Sequence, residues 1–160
     1  MTDYTARIAE IAASCRDFSG NTPQFKPASA DDAAWLEAAG LPATVVTFFA
    51  AHDPVKGVES DGVYLEPVRK LRLDNTQAVP GVVVNQYGWV VIANTVSGDA
   101  YCVDTRSEGD IPVYIVSHAR GEDASFDDIK AHSRIVAQSF DDFLEKFAQK
   151  ALPYDVELAG

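Results

Sequence analysis

Between Trp89 and Ser117 three apolar runs follow one another, Trp89 to Thr95, Ala100 to Thr105 and Ile111 to Ser117, with only short turn clusters between them. Ser97-Gly98-Asp99 and Ser107-Glu108-Gly109-Asp110 carry the small and polar residues that close hairpins, so the runs predict a meander of adjacent antiparallel strands. Alternating β-α-β units would need long crossovers, which these intervals do not contain. Upstream, Val63-Tyr64-Leu65 opens the strand region after Gly57, and Gly81 to Val84 reads as another strand. Val68 to Leu73 alternates imperfectly and stays open between strand and short helix. Downstream the chain turns polar through Arg120-Gly121-Glu122-Asp123 before Ile135-Val136-Ala137 adds a short strand.

Helical periodicity brackets this region. Tyr4, Ile8, Ile11, Cys15 and Phe18 recur at spacings of four and three, one buried stripe of a first helix that Gly20-Asn21-Thr22-Pro23 ends. Ser29, followed by Asp31 and Asp32, starts a second helix whose buried side is Trp35, Leu36 and Ala39 and whose stop is Gly40. Leu41-Pro42 restarts the chain into a third, with Val45, Phe48 and Phe49 inward. Ser139 caps the last helix, Asp141 and Asp142 fill its first turn, and Phe140, Phe143, Leu144 and Phe147 form its buried face. The class is α+β, a single antiparallel sheet with helices packed against it. At 160 residues with 47% hydrophobic side chains, the chain is expected to form one domain over residues 1–160.

Charge excludes more than it assigns. A net charge of −11 repels phosphate backbones and anionic lipid and favours encounter with basic partners. No apolar run is long enough to span a membrane, and Met1-Thr2-Asp3-Tyr4 opens no basic region followed by an apolar stretch, so the expected location is the cytoplasm. Cys15 and Cys102 supply neither a disulfide framework nor a metal knuckle and read as reduced core residues.

Three segments, in order, resemble the SMI1/KNR4 family of the SUKH superfamily. The first is Trp35-Leu36-Glu37, Leu41-Pro42 and Phe48-Phe49; the second is Val91-Ile92-Ala93-Asn94 with Ser97-Gly98-Asp99-Ala100-Tyr101-Cys102-Val103-Asp104. The third is Pro112-Val113-Tyr114 with Ile135 to Leu144, similar to the family's last strand and its Ser-Phe-acidic-acidic-Phe-Leu helix. The likeness covers residues 30–150 and leaves the N-terminal helix and linker, 1–28, outside it. The chain departs from the pattern at Ala50-Ala51-His52-Asp53, where the family usually places an Asn-Gly turn. The resemblance implies a SUKH-like fold, no enzymatic activity, no cofactor and a protein partner. Many bacterial members look like immunity proteins that block a secreted toxin, frequently a nuclease, and fungal relatives act as scaffolds.

On that footing Glu108, Asp110, Glu122, Asp123, Asp127 and Asp128, in loops after the meander, are the candidate partner-binding residues for a basic toxin domain, since carboxylates can mimic the phosphates a nuclease cleft holds. The bland reading is a solvated polar surface. A metal-dependent hydrolase would draw on Asp99, Asp104, Asp110 and His118, but no metal-binding motif has the needed spacing. Cys102 as nucleophile would need an electropositive setting, whereas a strand position pushes its thiol pKa upward. His52 and His132 read as surface residues, and Trp35, Trp89 and Tyr101 as core. The expected function is toxin neutralisation by binding. The alternatives are a regulatory scaffold or small-ligand binder of the same fold and, last, the hydrolase.

Overall fold

The computed structural model describes residues 2–109, 111–119, 121 and 123–160. In chain order the elements begin with α1 (Thr5–Ser14), β1 (Arg16–Asp17), β2 (Phe25–Lys26), α2 (Ala30–Ala38), α3 (Ala43–Ala51) and β3 (Asp53–Pro54). They continue with β4 (Val58–Ser60), β5 (Val63–Leu65), α4 (Val68–Gln77), α5 (Gly81–Val84), β6 (Trp89–Thr95) and β7 (Ala100–Asp104). The last are β8 (Val113–Val116), α6 (Phe126–Ala131), β9 (Ser133–Ala137) and α7 (Phe140–Ala148). The main sheet runs β1-β4-β5-β6-β7-β8-β9 with every neighbouring pair antiparallel, and β2 with β3 forms a separate ribbon. The meander from β6 to β8 and the α+β class are as the turn clusters predict.

Helices cover the sheet from two sides. Tyr101 of β7 meets Phe143 of α7 at a ring separation of 5.2 Å, and Phe140, Phe143, Leu144 and Phe147 are buried. On the opposite face Trp89 lies 4.5 Å from Tyr114 and edge-on to Phe126 of α6 at 5.8 Å. The first helix is part of this packing: Ile11 is fully buried and the Tyr4 hydroxyl donates to the Asp141 carboxylate at 2.8 Å. Ser139 Oγ accepts from the Asp142 N–H at 3.1 Å, while the Asp142 carboxylate accepts from Gln138 N–H and the Lys146 ammonium, both at 2.9 Å. Ser139→Ala is expected to cost about 1 kcal/mol by removing this cap, read as a lowered urea midpoint at unchanged slope. Ser29 caps α2 in the same way, accepting from Asp32 N–H at 3.2 Å.

Three expectations are corrected, and one reading left open is decided. Gly81 to Val84 forms the helix α5, because Asn85 donates to the Gly81 carbonyl at 2.9 Å and the close seat of Gly81 on α4 overrides the strand preference of three valines. Val68 to Leu73 belongs to α4, whose first N–H, at Val68, is accepted by the buried Asp53 carboxylate at 2.9 Å. Phe18 lies outside the first helix: the chain is extended at Cys15, and the Asp17 carboxylate accepts from Ser19 and Asn21 N–H groups at 2.8 and 3.0 Å, which folds a turn and leaves Phe18 53% exposed. At Ala50-Ala51-His52-Asp53, α3 ends at Ala51 and the chain passes directly into β3. The helix α6, capped by Ser125 through the Asp128 N–H at 3.1 Å, interrupts a stretch that reads as loop.

One side chain takes the place of a strand. β5 pairs with β6 only at Thr95 and Asn94. Further along, Val91 donates to Asn75 Oδ1 at 2.8 Å and accepts from Asn75 Nδ2 at 3.0 Å, so α4 continues the hydrogen bonding that β5 leaves off.

Candidate functional site

Asp123, Asp127 and Asp128 of the acidic candidates lie at α6, and Glu108 lies in the loop that follows β7. Glu108 in the β7–β8 loop and Asp123 before α6 are exposed, while Asp127 and Asp128 lie in the first turn of α6 instead of a loop. Asp110 and Glu122 lie outside the described residues. Cations are interleaved here. The Lys130 ammonium is 3.4 Å from Asp127, and both Lys130 and the Arg106 guanidinium stand over the Phe126 ring, at 4.6 and 4.8 Å from its centroid. Phe126 in turn stacks on Tyr87 at 5.0 Å.

Among the described residues the hydrolytic candidates form one pair and no larger cluster. Asp104 pairs with Arg106 at 3.2 Å, and Asp110 lies outside the described residues. Asp99 and His118 do meet: Asp99 Oδ1 lies 2.6 Å from His118 Nδ1 and accepts the His118 N–H at 2.9 Å, while Oδ2 accepts the Val156 N–H at 2.8 Å. Burial alone would raise this carboxyl, only 2% exposed, but the three donors outweigh it and hold Asp99 below the usual carboxylate range. Its geometry is that of a fastener for the C-terminal segment. Burial pushes the Cys102 thiol far above its ordinary value. Among the described residues no three His, Cys, Asp or Glu side chains are gathered as a metal ion would need.

A second polar knot ties α4 to β6. Asn94 donates to Glu66 at 2.7 Å and to Asp74 at 2.6 Å, and the Lys70 ammonium bridges both carboxylates. Burial would lower Lys70, but Asp74 and Glu66 outweigh it and raise it above the ordinary lysine value.

What the sequence leaves unmarked is an apolar band at the turn end of the sheet. Asp61 and Gly62, both at positive φ, close the β4–β5 hairpin, and the C-terminal segment crosses that end of the sheet. Tyr101 Oη donates to the Pro153 carbonyl at 2.5 Å and Ser97 Oγ to the Tyr154 carbonyl at 2.7 Å; with Asp99 on Val156 they fix the segment at three residues within 153–156. A depression of about 520 Å³ lies between Glu59, Asp61, Val96, Tyr154 and Leu158. A second, of about 440 Å³, lies between Arg16, Asp17, Phe18, Glu59 and Tyr64, so Glu59 is common to both. A third adjoins the first through Leu158 and reaches Ile135. Among the described residues, five of the eight exposed large apolar side chains, Phe18, Val96, Ile135, Tyr154 and Leu158, line these three depressions. Such concentration marks an interaction surface, since scattered exposed apolar residues need no explanation. The one sequence signal was the tight turn at Asp61-Gly62, which says nothing about what is gathered beside it.

A family model described as the SMI1 / KNR4 family (SUKH-1) matches residues 28–146. Among curated proteins and solved structures there is no significant match. No helix among the described residues is long and apolar enough to cross a membrane.

Proposed function

The chain belongs to the SMI1/KNR4 family, and from that premise we propose that it is a non-enzymatic immunity-type module that binds a basic toxin and neutralises it stoichiometrically. The observation that carries this reading is the apolar band, where exposed aromatic side chains adjoin carboxylates on a rigid sheet end. Buried aromatics at the centre of an interface supply most of its binding energy, and the surrounding charges steer the encounter. The net charge of −11 and the exposed carboxylates Glu108, Asp123, Asp127 and Asp128 supply the long-range attraction to a basic face. Asp110 and Glu122, next to them in sequence, add to the same acidic stretch of the chain. A neutralising complex of this kind buries on the order of 1,600 Å². A regulatory scaffold of the same fold would use the same band for a cellular partner.

Co-expression with toxin domains encoded beside its gene tests the proposal. Growth is expected to be restored against one of them, with a one-to-one complex on size exclusion. The association rate should fall at least about tenfold between low and high salt as screening shortens the reach of the charges. Continued growth arrest with every such domain, and no complex with any, would overturn it.

A further inference from the structure

We propose that the band docks an arginine-bearing segment of a protein partner, with guanidinium groups laid against Phe18 and Tyr64 and directed to Glu59 and Asp61, and with apolar neighbours entering beside Val96, Tyr154 and Leu158. This rests on the binding reading above and assigns to it a surface and a partner chemistry.

The geometry starts from the ladder. Arg16 pairs with Glu59, Glu59 with Tyr64 and Tyr64 with Asn94, so these four side chains share one face of the sheet. Phe18 stands edge-on to Tyr64 at 5.1 Å, its N–H donating to the Gly57 carbonyl at 2.9 Å. Its ring occupies the space a Cβ at residue 57 would need, 2.4 Å away, so Gly57 is the seat on which the ring rests. Two aromatic faces are thus held at the surface beside a carboxylate.

Charge decides the occupant. The Glu59 and Asp61 carboxylates make no hydrogen bond or ion pair among the described residues, whereas the Asp17 carboxylate is engaged by its own turn. Two cations border the depressions: Arg16 is directed to carbonyls at the end of α1, Cys15 at 2.7 Å and Ala12 at 3.5 Å, and Lys150 lines the first depression beside Glu59 and Asp61 with no ion pair to either among the described residues. No cation of the chain lies over Phe18 or Tyr64 among the described residues, while Phe126 on the α6 lobe already carries Arg106 and Lys130. Arginine suits the band better than lysine because its planar group stacks on an aromatic face and still presents paired donors to a carboxylate. A second copy of this chain is disfavoured: each carries −11, and a two-fold contact would bring the same acidic rims together.

The test titrates the full chain with a peptide of alternating arginine and leucine, and with its lysine and glutamate counterparts, following backbone amide shifts. Shifts are expected at 16–20, 57–64 and 152–158, with arginine binding about fivefold tighter than lysine and glutamate not at all. Glu59→Lys with Asp61→Lys should weaken the arginine peptide at least about tenfold. Phe18→Ala should weaken it similarly while leaving the melting temperature within about 2 °C, because the ring is half exposed. Gly57→Ala, which displaces the ring without removing it, should act in the same direction. Shifts confined to the α6 lobe, equal binding of the three peptides, or no binding would overturn the assignment. Toxin rescue that survives Phe18→Ala and Glu59→Lys together would overturn the docking surface and leave the neutralising function standing. Arginine-peptide binding at the band with rescue from no toxin would do the reverse.

Discussion

Gly81→Ala is expected to cost at least about 3 kcal/mol and lower the melting temperature by about 10 °C. A Cβ at this position would stand 2.0 Å from the Asp74 carbonyl oxygen, 2.8 Å from its carbon and 2.9 Å from Asn75 Cα. All three are backbone atoms of α4, so no side chain can swing aside. Relief would require α4 and α5 to separate, and α4 carries both Asn75, which completes the bonding of Val91, and Asp74, which with Lys70 holds Asn94. Circular dichroism melts of the variant beside Gly109→Ala make the comparison, because nothing lies within 4 Å of a Cβ at residue 109 and only backbone strain acts there. A Gly81 variant as stable as the parent would show that the two helices tolerate separation.

Asp99→Ala is expected to cost about 3 kcal/mol and to release the C-terminal segment, since it removes a buried charged acceptor and leaves the His118 and Val156 N–H groups without it. Amide exchange across 153–158 should speed up more than exchange in α7. The native carboxyl titrates below its unfolded value, so its contribution is complete above the ordinary aspartate range and is lost as pH falls through the native value. The parent should therefore lose stability below about pH 4 by an amount that Asp99→Asn does not lose. Asp53 opposes this trend: burial raises it, against the Val68 N–H that lowers it, so protonation near the ordinary carboxylate range favours the native state there. The difference between parent and Asp99→Asn isolates the fastener from that background. Identical acid limbs for the two proteins would remove Asp99 from the account.

The helices at the two ends of the core were legible because their apolar residues recur at helical spacing and their caps are written beside them, Ser29 with Asp32 and Ser139 with Asp142. The meander was legible from its turns. Gly81 to Val84 was not, because a four-residue run of glycine and valines carries no period and its helix is imposed by α4. Phe18 continued the spacing of the first helix, and only the Asp17 turn, a local side-chain choice that apolar spacing does not register, placed it outside. The candidate surface was the least legible part. Phe18, Tyr64, Val96 and Tyr154 come from four distant stretches that meet only once the sheet is ordered, whereas runs of carboxylates announce themselves in any sequence. The acidic lobe, read from such runs, proves to hold its own cations at Arg106 and Lys130.

Phe18, Val96, Tyr154 and Leu158 lie outside the packed interior, which is closed without them. Exchange at these positions is therefore decoupled from foldability, and a lineage can trade one partner for another by altering a handful of exposed side chains while the architecture beneath is inherited unchanged.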